Sequence, residues 1–173
     1  MKKIILIVSI LLLGVFTKLN AQNRLDTISL YKTALKQMHL DQPGKTVRAT
    51  TSRQLFKHIN LPNPSYNTLD TLGTKFWHTK DWADFLTKID TSKINDYTLK
   101  TNNKPWFKTF KPNDTRNVTI TFSPIIFNSA NDKALFLIRY SRAGAGGAVV
   151  SAFFEKLNNV WMVKDVLQLI LID

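Results

Sequence analysis

The sequence contains no cysteine, and only one of its 173 residues, Glu155, is a glutamate. The missing thiols exclude disulfides, a thiol-anchored lipoprotein, a catalytic cysteine and thiolate metal sites. A glycosidase needs two carboxylates on opposite sides of a bond, and no spacing among the acidic residues picks out such a pair. The histidines also lack the H-E-x-x-H spacing of zinc enzymes. These absences favour a protein that needs no metal and no cofactor.

Glycine is scarce too, and three of the six glycines fall in "AGAGGAVV", residues 143–150. Gly144 and Gly146 fit the dinucleotide-binding pattern G-x-G-x-x-G, but Val149 stands at its third glycine position. A strand follows by composition, and neither the G-K-[ST] ending of a P-loop nor the G-x-S-x-G of a serine hydrolase occurs. The stretch therefore predicts a turn between two strands, beside which Arg139 and Arg142 are candidates for holding an anion.

The first 21 residues have the layout of a secretory signal peptide. Two lysines precede an apolar run from Ile4 to Phe16, and a polar tail ends at the small residue Ala21. Lys18 closes the run before the roughly 20 apolar residues that a spanning helix needs. We expect cleavage before Gln22, a single domain over residues 22–173, and a periplasmic or secreted location.

The chain is strongly basic. Its formal net charge is +12, and loss of Lys2, Lys3 and Lys18 with the signal leaves +9. Such a surplus favours anionic partners, which include acidic polysaccharide, nucleic acid and phospholipid surfaces. Basic residues scattered over a solvated surface would give the same total.

The hydrophobic pattern predicts an α+β domain. A helical stripe runs from Ile28 to Met38, and a second helix carries Trp82, Phe85 and Leu86 on one face. From residue 117 the period changes to two, which predicts strands joined by tight turns, among them Asn158-Asn159. The expected architecture is N-terminal helices packed on one face of a C-terminal antiparallel β-meander of about four strands.

The stretch "FWHTKDWAD" is a candidate catalytic site. His78, Asp81 and Asp84 are three residues apart, so a helix would carry them along one side. Such groups could act as a general acid and base in a small envelope hydrolase. Acidic residues are also common at helix starts, where the dipole favours them.

The stretch "KPWFKTFKP", residues 104–112, is a candidate binding segment. Aromatic rings interleaved with lysines can stack on bases or sugars, or rest at a lipid interface, while the lysines contact anionic groups. An ordinary loop with its aromatics tucked under the sheet is the alternative. The candidate side chains are Lys104, Trp106, Phe107, Lys108 and Lys111.

The final third of the chain carries a resemblance. Phe122, Ser123 and Phe127 match a strand of the form F-S-x-P-x-F, in which Pro124 stands one position early. A glycine-rich loop and "K-x-N-G-x-W" follow, with Asn159 in place of the glycine. In these features the chain resembles secreted, uncharacterised proteins of Bacteroidota. The resemblance covers about 50 residues and implies an exported protein. It implies no activity.

Two functions follow from these patterns. The favoured one is a non-catalytic exported domain that binds an anionic partner. The alternative is an envelope hydrolase that uses His78 with Asp81 or Asp84.

Overall fold

A β-sheet drawn mainly from the second half of the chain organises the fold. The computed structural model describes residues 27–41, 45–61, 76–101, 104–105, 118–142 and 146–172. The strands in chain order are β1 (Lys45–Val47), β2 (Lys100–Thr101), β3 (Lys104–Pro105), β4 (Val118–Phe122), β5 (Ile126–Phe127), β6 (Lys133–Arg142), β7 (Gly147–Leu157) and β8 (Val160–Ile172). The α-helices are α1 (residues 27–37) and α2 (Lys80–Thr87), and the 3₁₀ helices are η1 (Arg53–His58), η2 (Phe76–His78) and η3 (Thr91–Lys93).

The main sheet has the order β1-β4-β6-β7-β8, with β5 paired to β6 beyond the end of β4. The pairs between β4, β6, β7 and β8 are antiparallel, as the alternating sequence predicts. The expected number of about four strands is wrong, because β1 and β5 also join and make six. β1 runs parallel to β4, a long-range pairing that its three residues do not announce.

The motif around Pro124 keeps β4 and β5 on one edge of β6. Pro124 has no N–H for the ladder, so the strand breaks there. The Ser123 hydroxyl oxygen compensates by accepting a hydrogen bond from the Leu137 N–H at 2.8 Å. Ser123 is fully buried, and its backbone N–H donates to the Leu137 carbonyl at 2.8 Å. Ser123 and Pro124 therefore have a structural role in the sheet.

The Asn158-Asn159 turn expected in the meander is confirmed. Asn158 and Asn159 join β7 to β8 with φ angles of 49° and 63°, which asparagine tolerates better than most residues. β6 and β7 pair in register from Lys133↔Glu155 to Ser141↔Gly147. The glycine-rich stretch between them is thus a hairpin connection, although residues 143–145 lie outside the described part.

One face of the sheet packs against α1. Tyr31 is fully buried there, with its ring centroid 4.2 Å from that of Phe122 and 4.9 Å from that of Phe136. The sheet side chains of this core are spaced by two along β6, as strand alternation requires. The other buried members include Leu30, Ala34, Leu35, Ile138, Val150 and Phe154.

The opposite face packs against η1, η2 and α2. Trp82 is 2% exposed and lies edge-on to Phe76, with ring centroids 4.9 Å apart. Leu135, Leu137 and Phe153 are the buried sheet residues of this core. Helical segments therefore cover both faces, whereas helices on one face were expected. The domain is α+β, with the sheet as its middle layer.

Among the described helices, none has the length and apolar character to cross a membrane.

Candidate functional site

Side chains of η1 and β6 bring positive charge together on the face that α2 also covers. The apolar residues Leu55 and Phe56 anchor η1 against the sheet and leave Lys57 and His58 at its outer end. Arg139 of β6 follows Leu135 and Leu137 at a spacing of two, so it projects from this same face. We call Lys57, His58 and Arg139 the basic patch.

The pKa of His58 reports the electrostatics of this patch. Partial burial lowers the pKa of the imidazole, and the positive charges of Lys57 and Arg139 lower it further. Both cations are exposed, and neither forms an ion pair with any residue that the structure describes. The basic patch is therefore a region of positive potential that no described carboxylate balances.

Arg142 does not join the basic patch. It lies three residues beyond Arg139 on β6 and opposite Val118 of β4, which belongs to the α1 side of the sheet. Side chains three apart on a strand project to opposite faces. Arg139 and Arg142 thus do not converge on one anion.

The aromatic and basic segment falls mostly outside the described residues. Lys104 begins β3, which pairs antiparallel with β2. Trp106, Phe107, Lys108 and Lys111 lie outside the described part, so their role in binding stays a prediction.

A groove of about 360 Å³ lies between α2, the loop after it and β5. Asp81, Asp84 and Asp90 line it, and Phe85 and Ile126 contribute apolar surface. Asp90 accepts hydrogen bonds from the N–H and hydroxyl of Ser92 at 3.1 and 2.6 Å, and these bonds, with help from Lys93, lower its pKa. Asp90 therefore caps η3, and we call the cleft the acidic groove.

Of the predicted catalytic trio, the acidic groove contains the two aspartates and not His78. His78 is exposed at the end of η2 and is not among the described residues lining the groove. Asp81 and Asp84 do line it, so the predicted trio is only partly gathered. No three His, Asp or Glu side chains in the described ranges are grouped so that they could hold a metal ion.

Glu155 has a structural setting. Its carboxylate lies between two lysines, with Lys164 Nζ 3.1 Å from Oε2 and Lys133 Nζ 3.8 Å from Oε1. The Lys133 side chain is only 8% exposed, and its ammonium group lies 6.0 Å from the Trp82 ring centroid. Buried cations of this kind need a counterion, and Glu155 supplies it together with Asp132, whose Oδ1 is 3.5 Å from Lys133 Nζ.

Sequence reasoning missed Lys57 and His58, because two basic residues at the end of a short helical turn look like any solvated surface. The three residues come together only because η1 packs on the face of the sheet from which Arg139 of β6 projects. No family model, no curated protein and no solved structure matches the chain. The resemblance to secreted Bacteroidota proteins therefore stays a prediction, and the proposed function depends on the residues described above.

Proposed function

We propose that the protein is an exported domain of the periplasm or the extracellular space that binds an anionic partner and catalyses no reaction. The observation that carries the proposal is the grouping of two exposed cations, Lys57 and Arg139, which form no ion pair with any described residue, around the partly buried His58. An anion at this patch would replace the missing counter-charge. The partner classes are acidic polysaccharide, nucleic acid and anionic membrane surface, whose shared chemistry is repeated negative charge.

The layout of the acidic groove supports binding over catalysis. General acid and base work needs titratable groups within hydrogen-bond reach of one reacting centre. Asp81 and Asp84 line the groove without His78, and Asp90 is engaged with Ser92 and Lys93. This arrangement favours the binding proposal over the hydrolase alternative.

The proposal is tested by binding to heparin, double-stranded DNA and anionic vesicles from low to high salt. Exchange of Lys57 and Arg139 for glutamine should weaken binding and flatten its dependence on salt, because fewer counterions are then released. A matched variant, Lys36→Gln with Lys80→Gln, removes the same charge from exposed positions outside the basic patch. It should change binding less.

His58 supplies a readout that separates local contact from general attraction. A bound anion at the basic patch should raise the pKa of His58, which imidazole proton shifts follow directly by nuclear magnetic resonance. Affinity should then strengthen as the pH falls through the range in which the bound histidine protonates. If the protein binds none of the three probes at low salt, the proposal is wrong. Binding with an unchanged His58 pKa would place the contact elsewhere.

A further inference from the structure

The outer edge of the sheet is β8, which pairs with β7 and with no other strand in the described ranges. At 13 residues it is the longest strand, and it carries four of the five large apolar side chains that are exposed in the described structure. Their exposed fractions are 61% for Val160, 52% for Met162, 42% for Ile170 and 67% for Leu171. A long edge with apolar side chains offers backbone groups to another strand. The Val166 N–H already donates to Asp165 Oδ1 at 2.7 Å, a bond that a second strand would have to replace.

These exposed apolar residues occupy the two ends of β8, and the exposed side chains between them, Lys164 and Gln168, are polar. Lys164, Asp165 and Gln168 lie between, and Lys164 is already paired with Glu155. An antiparallel copy of the same strand would bring the first end of one molecule against the second end of the other. The distribution is thus complementary to itself.

The register of β8 against β7 shows that the two halves of β8 have the same length. β8 has two extra residues relative to β7, Lys164 and Leu169, which fall outside the paired positions. One lies between Val166 and Met162, and the other lies between Val166 and Ile170. The two arms on either side of Val166 are therefore equally long, and each contains one bulge.

The faces also agree. Met162 is opposite Glu155, and Ile170 is opposite Val149; these β7 residues are six apart and so project from one face. Trp161 and Leu171 are opposite Lys156 and Ala148, which project from the other face. A two-fold axis at Val166 therefore pairs Met162 with Ile170 of the second copy, and Trp161 with Leu171 of the second copy, on matching faces.

We propose that the protein forms a two-fold symmetric dimer through antiparallel pairing of β8 with β8 of a second copy. The sheet then continues through both molecules, and the apolar ends 160–162 and 170–171 cover each other. In this register Lys164 faces Gln168 and Asp165 faces Leu167, so no like charges are opposed. A flat lipid surface fits less well, because the exposed side chains project from both faces of the sheet, Met162 and Ile170 from one face and Leu171 from the other. The proposal does not depend on the proposed function.

The test measures the mass of the purified protein by sedimentation velocity across a range of concentrations. The parent should sediment as a dimer, whereas Met162→Lys and Ile170→Asp should each weaken self-association about tenfold or more, since symmetry places each change at two contacts. The double variant sets the introduced lysine of each copy opposite the introduced aspartate of the other copy, and it should recover the dimer. Leu157→Lys is the matched control, because Leu157 is 53% exposed on the same hairpin but belongs to β7. It should leave the dimer intact.

Cross-linking checks the register independently, and the absence of cysteine makes it clean. With Met162→Cys and Ile170→Cys together, oxidation should give a covalent dimer, because opposed strand positions lie within disulfide reach. Either cysteine alone should not, since each faces an apolar residue. A disulfide within one chain is excluded, because the β7 partners of the two positions, Glu155 and Val149, are six residues and so about 20 Å apart along the strand.

Three results would overturn the proposal. One is a monomeric parent at every concentration, and another is a dimer that survives both single charge variants. The third is binding to vesicles by a monomer that Leu157→Lys abolishes, because a lipid surface would then be the occupant. Salt separates this association from anion binding: screening should leave the dimer unchanged or strengthen it, since the two copies carry the same charge, whereas it should weaken binding to anions.

Discussion

The phenolic oxygen of Tyr31 lies 2.6 Å from the backbone carbonyl oxygen of Ser123, which is 92 residues further along the chain. Tyr31 donates its only hydroxyl proton to that carbonyl, so it accepts the bond from Tyr97, whose hydroxyl oxygen is 2.6 Å away. Tyr97 in turn accepts from the Ile125 N–H at 3.3 Å. The two hydroxyl groups thus tie α1 to the break between β4 and β5.

Tyr31→Phe should lower the free energy of unfolding by about 1–3 kcal/mol, because it leaves the buried Ser123 carbonyl without this donor. Tyr97→Phe should cost less, since Tyr97 is only half-buried and Tyr31 can still donate to Ser123. Urea denaturation measures both. Equal losses would mean that the Ser123 bond is not the dominant contact.

Alkaline pH should destabilise the fold through the same pair. Burial raises the pKa of Tyr31 well above its usual value and that of Tyr97 as well, so the folded state favours the neutral phenols. Their contribution to stability is complete below the unfolded pKa of about 10 and is lost as the pH rises toward the folded pKa values. Melting temperatures from pH 8 to 11 measure this loss. Tyr31→Phe should show a shallower decline than the parent.

Gly147→Ala should destabilise the β6–β7 hairpin by about 2–4 kcal/mol, in the range of core-strain effects. A Cβ atom at this position would overlap the Tyr140 carbonyl oxygen and lie 2.8 Å from the Ser141 Cα, and backbone atoms cannot swing aside. Gly146→Asn is the control, because its φ of 72° is a conformation that asparagine adopts. Thermal denaturation compares the two. Anion binding should survive in both variants, and its loss without a change in melting temperature would make the turn a ligand site.

The aromatic and basic segment can be tested in the same binding assays. Exchange of Lys104, Lys108 and Lys111 for glutamine should weaken anion binding and flatten the salt dependence. Trp106→Ala should weaken binding at every salt concentration, because ring stacking and interfacial burial are not screened. Variants that melt below the parent are set aside. If the triple lysine variant and Trp106→Ala both melt like the parent and bind with unchanged affinity, this segment is not part of the binding surface.

Processing is tested by intact mass. Protein recovered after export should begin at Gln22, with or without cyclisation of that residue. A mature chain that still contains the apolar run from Ile4 to Phe16 would contradict cleavage and indicate an anchor.

The sequence predicted the elements whose patterns are local. The period-two runs from Val118 onward, the Asn158-Asn159 turn and the Trp82 face of α2 are all found as expected. Each depends on neighbours within a few residues, which is the range over which hydrophobic periodicity and turn chemistry act.

Long-range pairing could not be predicted in the same way. The parallel register of Lys45 with Val118 is set by tertiary contacts. The three residues of β1 are too few to show a hydrophobic pattern that predicts it. The basic patch escaped for the same reason, because Lys57 and Arg139 are distant in sequence and their proximity depends on how η1 seats on β6. The candidate site thus depends on contacts between distant parts of the chain, whereas the strands beneath it can be predicted from local sequence patterns.

The order of the layers along the chain has a consequence for how the protein can be made. Both helical coverings come from residues before 94, and nearly all of the sheet that they cover comes from residue 118 onward. A ribosome therefore releases α1, η1 and α2 while their apolar sides have nothing to pack against. Strands β4 to β8 can form their hairpins once they leave the ribosome. Only then can β1 pair with β4. The apolar residues of the first half therefore reach their final partners only after the second half has been made.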